Sequence, residues 1–246
     1  MGGVIARSIK RFLSAAALTW LTLALSAQNY AVRGRIDLVK ADGSARRDNN
    51  AGIVVWLTPA SGQPVAQKGS ARPRPRIVQQ NKRFLTRVLA VQVGSVVEFP
   101  NEDPFFHNVF SLLDGQKFDL GLYEAGSTKS VAFNRAGVCY IFCNIHSQMN
   151  ATVVVVDTPH FVVLSTPGEF QIPQVPPGRY QLRVWAERCS PEALSEATQS
   201  ITVEGSAFTL ETIRLRESRD VGSVHTNKYG KSYEAPVFST PIYTRP

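Results

Sequence analysis

"GVCYIFCNIHSQMNATVVVVD", residues 137–157, sets two strand-like runs on either side of a short polar loop. Gly137 to Cys143 and Ala151 to Asp157 are rich in β-branched and aromatic residues, short, and free of a helical apolar stripe. The loop between them carries a thiol, an imidazole and a thioether, Cys143, His146 and Met149, at intervals of three residues.

The same texture extends in both directions. Upstream, "YAVRGRIDLV", "GIVVWLTP", "RFLTRVLAVQV", "SVVEFP", "HNVFSLL" and "STKSVAFN" are separated by Gly, Pro, Asn and Asp turns, the spacing of a β-sandwich. Downstream, "HFVVLS", "GEFQIPQV", "PPGRYQLRVWAE", "SITVEG" and "AFTLETIRLRE" repeat it in a smaller unit with Pro-Gly turns. An all-β chain of two sandwiches is expected, divided near Thr158 into residues 28–157 and 158–216. "SPEALSEATQS", residues 190–200, is the one helical candidate, with Ser190 as N-cap and Pro191 in the first turn. Residues 217–246 read as a polar tail, disordered or draped over a domain.

Residues 1–27 have the anatomy of a secretory signal: Arg7, Lys10 and Arg11 precede an apolar run that ends in small residues near Ala27. The run from Phe12 to Ala27 is 16 residues, shorter than the roughly 20 a spanning helix needs. A periplasmic or secreted protein with no membrane span after cleavage is the expectation.

The chain carries a formal charge of +8, and removing the three cations of the leader leaves about +5. Much of this is local, because no acid occurs between Ser61 and Val97 while Lys68, Arg72, Arg74, Arg76, Lys82, Arg83 and Arg87 do. Such a run decorates solvated loops and strand edges or steers an acidic partner. Export argues against nucleic acid.

Met149 is the sole methionine after the leader, and His107 lies upstream in a strand-turn context that a sandwich could fold back onto the Cys143 loop. One Cys, two His and a weak axial Met form the ligand set of mononuclear blue copper. Zinc is the chemical rival, but it rarely takes a thioether and structural zinc wants four N or S donors. Cys139 and Cys143, four apart on one strand, would be separated by about 13 Å at roughly 3.3 Å per residue. A disulfide tolerates only about 7 Å. Cys189 could pair with either, yet three cysteines leave one thiol free in any case, and Cys143 is expected to be that one.

"VGSVVEFPNEDPFFHNVF" followed by "AGVCYIFCNIHSQMNATVVVVD" resembles the cupredoxins of the plastocyanin and amicyanin group, including methylamine-utilisation types, over roughly residues 31–157. The resemblance implies a Greek-key β-sandwich with one type 1 copper at its end. His107, Cys143 and His146 would then be equatorial ligands, Met149 the axial one, and Asn108 a hydrogen-bonding residue that holds the ligand loop closed. It also implies that His146 reaches the surface in an apolar docking patch, here Phe105, Phe106 and Ile145. "GEFQIPQVPPGRYQLRVW" resembles the small carboxypeptidase-regulatory or transthyretin-like (prealbumin-like) sandwich, which implies a structural or adhesive role.

Four such ligands leave no position for substrate, so the expected activity is one-electron carriage between redox proteins, such as a periplasmic dehydrogenase or a cytochrome, and not enzymatic turnover. The His-x-His pairs of multicopper oxidases are absent from the sequence. Copper delivery is the alternative, which repeated Met or His tracts would favour. A structural binding module on a cupredoxin fold is the other.

Overall fold

The computed structural model describes residues 29–45, 52–61, 73–112, 115–204, 208–218 and 226–233. The expected signal at 1–27, part of the basic run and most of the tail lie outside the described residues. The described chain is nearly all β, as expected.

The strands follow where apolar residues alternate. In chain order they are β1 (Tyr30–Val39), β2 (Ile53–Pro59), the short pair β3 (Gln79–Gln80) and β4 (Arg83–Phe84), β5 (Val88–Gln92) and β6 (Ser95–Pro100). β7 (His107–Ser111), β8 (Phe118–Tyr123), β9 (Thr128–Phe133), β10 (Gly137–Phe142) and β11 (Asn150–Val156) complete the first half. β12 (Phe161–Leu164), β13 (Gly168–Val175), β14 (Gly178–Ala186), helix α1 (Pro191–Glu196), β15 (Gln199–Val203), β16 (Phe208–Thr209) and β17 (Ile213–Arg216) follow. The expected N-cap is in place: Ser190 Oγ accepts from the Ala193 amide at 3.3 Å.

Two sandwiches result, but their division differs from the expected split into 28–157 and 158–216. β1 pairs antiparallel with β13 and parallel with β16 and β17, while β2 lies between β12 and β14. Val32, Ile36 and Leu38 from β1 and Ile53, Val55 and Leu57 from β2 therefore share one core with Phe170, Ile172, Leu182 and Val184. The first two strands belong with the last six, and the unit carrying Cys143 is inserted between β2 and β12. Alternation marks a strand and its buried face, but it says nothing about which strand pairs with it.

The inserted unit has a five-stranded sheet, in the order β5-β11-β10-β7-β8, facing the pair β6-β9. Ile77, Val97, Phe99, Val109, Tyr123, Phe133, Ile141 and Val153 fill the space between. The two sandwiches meet through Val54 and Trp185 on one side and Ala90, Val154 and Val156 on the other. At the edge of this contact Arg87 grips Glu187 with two bonds, 2.9 Å from Nε and 2.8 Å from Nη2.

Much of the basic run has internal partners. Arg74 and Arg76 approach Glu98 at 3.5 and 3.6 Å, and Arg87 serves the contact between the units.

Candidate metal centre

His107 opens β7, and Cys143 immediately follows β10, which pairs with β7 through Phe142 and Phe110. Sheet pairing thus brings residues 36 apart in sequence to one end of the sandwich. The chain then leaves the strand, and the loop through His146 returns to β11 with two backbone bonds, Met149 N to His146 O at 3.0 Å and Cys143 N to Met149 O at 3.2 Å.

The Cys143 sulfur lies 3.8 Å from Nδ1 of His107 and 3.6 Å from Nδ1 of His146. The nearest ligand atoms of the three residues all fall within 4.8 Å of one another. A metal held by bonds of about 2.0–2.3 Å in a trigonal plane requires S to N separations of about 3.7 Å. Both S to N separations match that spacing, and the donors are a soft thiol and two imidazoles, a set suited to copper. Met149 is fully shut from solvent in the same apolar cluster as Cys143.

His107 is wholly buried and His146 half-buried. Burial pushes the Cys143 thiol up, opposed by the backbone amides of Asn108, Ile145 and His146 around the sulfur. Those amides would stabilise a thiolate once a metal displaced the proton. Burial lowers the His146 imidazole from its ordinary value, with Lys82 adding to the effect and the Asp103 carboxylate opposing it.

Several residues around the site have no counterpart among the sequence expectations. Asp103 Oδ2 lies 2.7 Å from His107 Nε2. That contact turns Nδ1 toward the sulfur and fixes which nitrogen is free. The same carboxylate accepts the amides of Asn81 and Lys82 at 2.7 and 2.9 Å. These two consecutive residues have φ of 55° and 54°, left-handed conformations that aim both N–H groups at one anion. Burial raises the Asp103 carboxyl, but the bonds from His107, Lys82 and Asn81 outweigh it and hold the group below its usual value. Neither the Asp103–His107 spacing, which implies proximity only in a helix or a turn, nor the Asn81-Lys82 turn gave a sequence signal that linked it to a site.

Asn108 follows His107 and is almost fully buried. Its side-chain Nδ2 donates to Asp119 at 2.7 Å and not to the ligand loop, while its backbone amide faces the Cys143 sulfur. Asp119 also accepts from Lys228 Nζ at 2.8 Å.

Around the mouth, Phe106 is 55% and Ile145 47% exposed. The Phe105 ring stands 5.2 Å from that of His107 and 5.9 Å from that of His146. Lys82 Nζ lies over Phe105 at 5.4 Å. The cysteines are all free thiols, Cys139 and Cys189 included.

No family model matches the chain, and no curated protein matches it. Among solved structures it is similar to a copper-containing nitrite reductase from Thermus scotoductus SA-01, at 26% identity and a TM-score of 0.33, over 40% of this chain and 26% of that one. It therefore spans about a quarter of that reductase. A methionine-to-alanine mutant of amicyanin in the Cu(I) state matches at 23% identity and a TM-score of 0.33, over 41% of this chain and 98% of its own. A purple cupredoxin from Nitrosopumilus maritimus matches at 21% identity and a TM-score of 0.31, over 33% and 99%. These neighbours are cupredoxins, each matched over about two-fifths of this chain or less.

Proposed function

We propose that this chain is an exported, mononuclear type 1 copper protein that carries single electrons between redox partners and performs no turnover of its own. The observation that carries the reading is the placement of the Cys143 sulfur 3.6–3.8 Å from two imidazole nitrogens in a mostly buried pocket. His107, Cys143 and His146 would hold copper, with Met149 as a fourth, weaker donor. Bound there, copper would supply a one-electron couple with a small change of geometry between its two states.

The residues of the chain do the rest. Asp103 holds the His107 ring, and the amides of Asn108, Ile145 and His146 surround the sulfur. The buried face of the pocket keeps water from the thiolate, while half-buried His146, 5.9 Å from the Phe105 ring and next to exposed Ile145, is where an electron could leave. A partner such as a periplasmic dehydrogenase or a cytochrome would dock on Phe105, Phe106 and Ile145, because an apolar mouth desolvates readily and brings His146 close.

The outer sandwich we assign a scaffold role on the carboxypeptidase-regulatory pattern. Among the described residues no helix is long and apolar enough to cross a membrane. A periplasmic or secreted location rests on the leader at 1–27.

The test is to add Cu(II) to the purified mature protein, record the visible spectrum and titrate the couple. An intense thiolate-to-copper band with one copper per chain and a reversible one-electron wave is expected. A colourless protein, or one that yields its copper at once to a chelator, refutes the reading.

A further inference from the structure

Residues 226–233 lie far from the metal-ligand loop in sequence but against it in space. Their local structure is tightly specified. Asn227 Oδ1 accepts the amides of Tyr229 and Lys231, both at 3.0 Å, while Asn227 N donates to Lys231 O at 2.8 Å. Gly230 closes the turn with φ 73°, which a side chain would resist. A turn built this way from its own residues loses little further entropy when it docks.

It docks at three points. The Lys228 amide donates to Asn144 Oδ1 at 3.0 Å, Lys228 Nζ to Asp119 Oδ2 at 2.8 Å, and the Tyr233 hydroxyl to the Cys143 carbonyl at 2.8 Å. Asp119 Oδ1 in turn takes Asn108 Nδ2 at 2.7 Å. The segment therefore ties the strand that begins with His107 to the loop that carries Cys143 and His146, across 84 to 109 residues of sequence.

We propose that residues 226–233 are a clasp on the metal centre, with Lys228 and Tyr233 as positioning residues that hold the Cys143–His146 backbone in its ligating shape. The inference rests on the copper reading for the identity of the ion, and on the hydrogen bonds alone for the clasp. The amides of Ile145 and His146 face the sulfur only while the loop keeps this course, and the clasp grips that loop at the two residues before them. Without it, the ring of bonds from Asn108 through Asp119 and Lys228 to Asn144 opens. The loop then gains the freedom to release the ion.

The experiment compares the full chain with Tyr233→Phe, Lys228→Met and the double variant. Copper loss to a chelator, the reduction potential and amide hydrogen exchange in the metal-free protein are measured. Copper loss is expected to quicken about fivefold for Tyr233→Phe and more in the double variant, a fivefold change being what one hydrogen bond of ordinary strength supports. The potential shifts, Lys228→Arg restores most of the retention, and the amides of Ile145, His146 and Met149 exchange faster in the double variant. Unchanged amide exchange overturns the proposal, as does unchanged copper loss in a chain that binds copper. If the native chain takes up no copper, the copper reading fails while the exchange rates still decide the clasp.

Discussion

Asp103 and His107 form a buried carboxylate-imidazole pair at 2.7 Å, four residues apart, with the aspartate side chain 5% exposed and the histidine fully closed off. The pair fixes the ring nitrogen offered to the metal and places negative charge behind it. Asp103→Asn is expected to weaken copper binding by about 10- to 100-fold, the usual effect of losing such a partner. The potential should rise, because a nearby anion favours Cu(II) over Cu(I). Competition with a chelator of known affinity checks the first, and redox titration the second.

Met149→Leu keeps an apolar side chain of similar size in the core, so the cost in stability should stay below about 1.5 kcal/mol. It removes the thioether, a weak donor that favours the oxidised ion. The coloured band should persist and the potential should climb. A potential that stays the same on this change would remove Met149 from the axial role.

Phe106→Glu places a charge on the mouth without touching a donor atom. Electron exchange with a native partner should slow, and the visible spectrum should stay as it was. Equal exchange rates for the two proteins would move the docking surface elsewhere.

Cys189 provides a pH test outside the metal centre. Burial, aided by the charge of Glu217, pushes its thiol up to about 11 from a model-compound value of 9.0. The group binds its proton more tightly in the folded state, so the stabilisation is complete below pH 9 and is lost as pH rises toward 11. The metal-free protein should melt at progressively lower temperature across that window, and Cys189→Ala should flatten the slope. Alkylation of Cys189 in the folded chain should be slow at pH 9.

Ile36→Ala tests the topology. Ile36 is fully buried and belongs to the core that contains Phe170 and Leu182. The truncation should destabilise the outer sandwich by about 2–5 kcal/mol, read by denaturant unfolding, and leave the copper spectrum intact. A changed spectrum with an unaffected outer sandwich would place β1 with the inserted unit.

The strands were legible because their apolar residues alternate: "YAVRGRIDLV", "SVVEFP" and "GEFQIPQV" each coincide with a strand. β8, "FDLGLY", is missing from the expected strands although Phe118, Leu120 and Leu122 alternate with Asp119 and Gly121, because the glycine reads as a turn. Val175 shows a second limit. It reaches the core one residue out of step with Phe170 and Ile172, beside Gln174 at φ 56° and an irregular register with β1. The grouping of His107, Cys143 and His146 could be read because scarce donor types fell at ligand intervals. Asp119, Asn144, Lys228 and Tyr233 are common residues whose meeting depends on the path of the whole chain, and no local pattern marks them.

The insertion of one sandwich between β2 and β12 of the other imposes an order of events during synthesis. β1 waits for β13, whose residues emerge some 130 positions later, before its central pairing can form. Every strand of the inserted sandwich is made in that interval and needs no partner from outside it. The thiol end of the molecule can therefore assemble first. The outer sandwich closes next, its two opening strands remaining unpaired edges until it does, and residues 226–233 reach the thiol loop last.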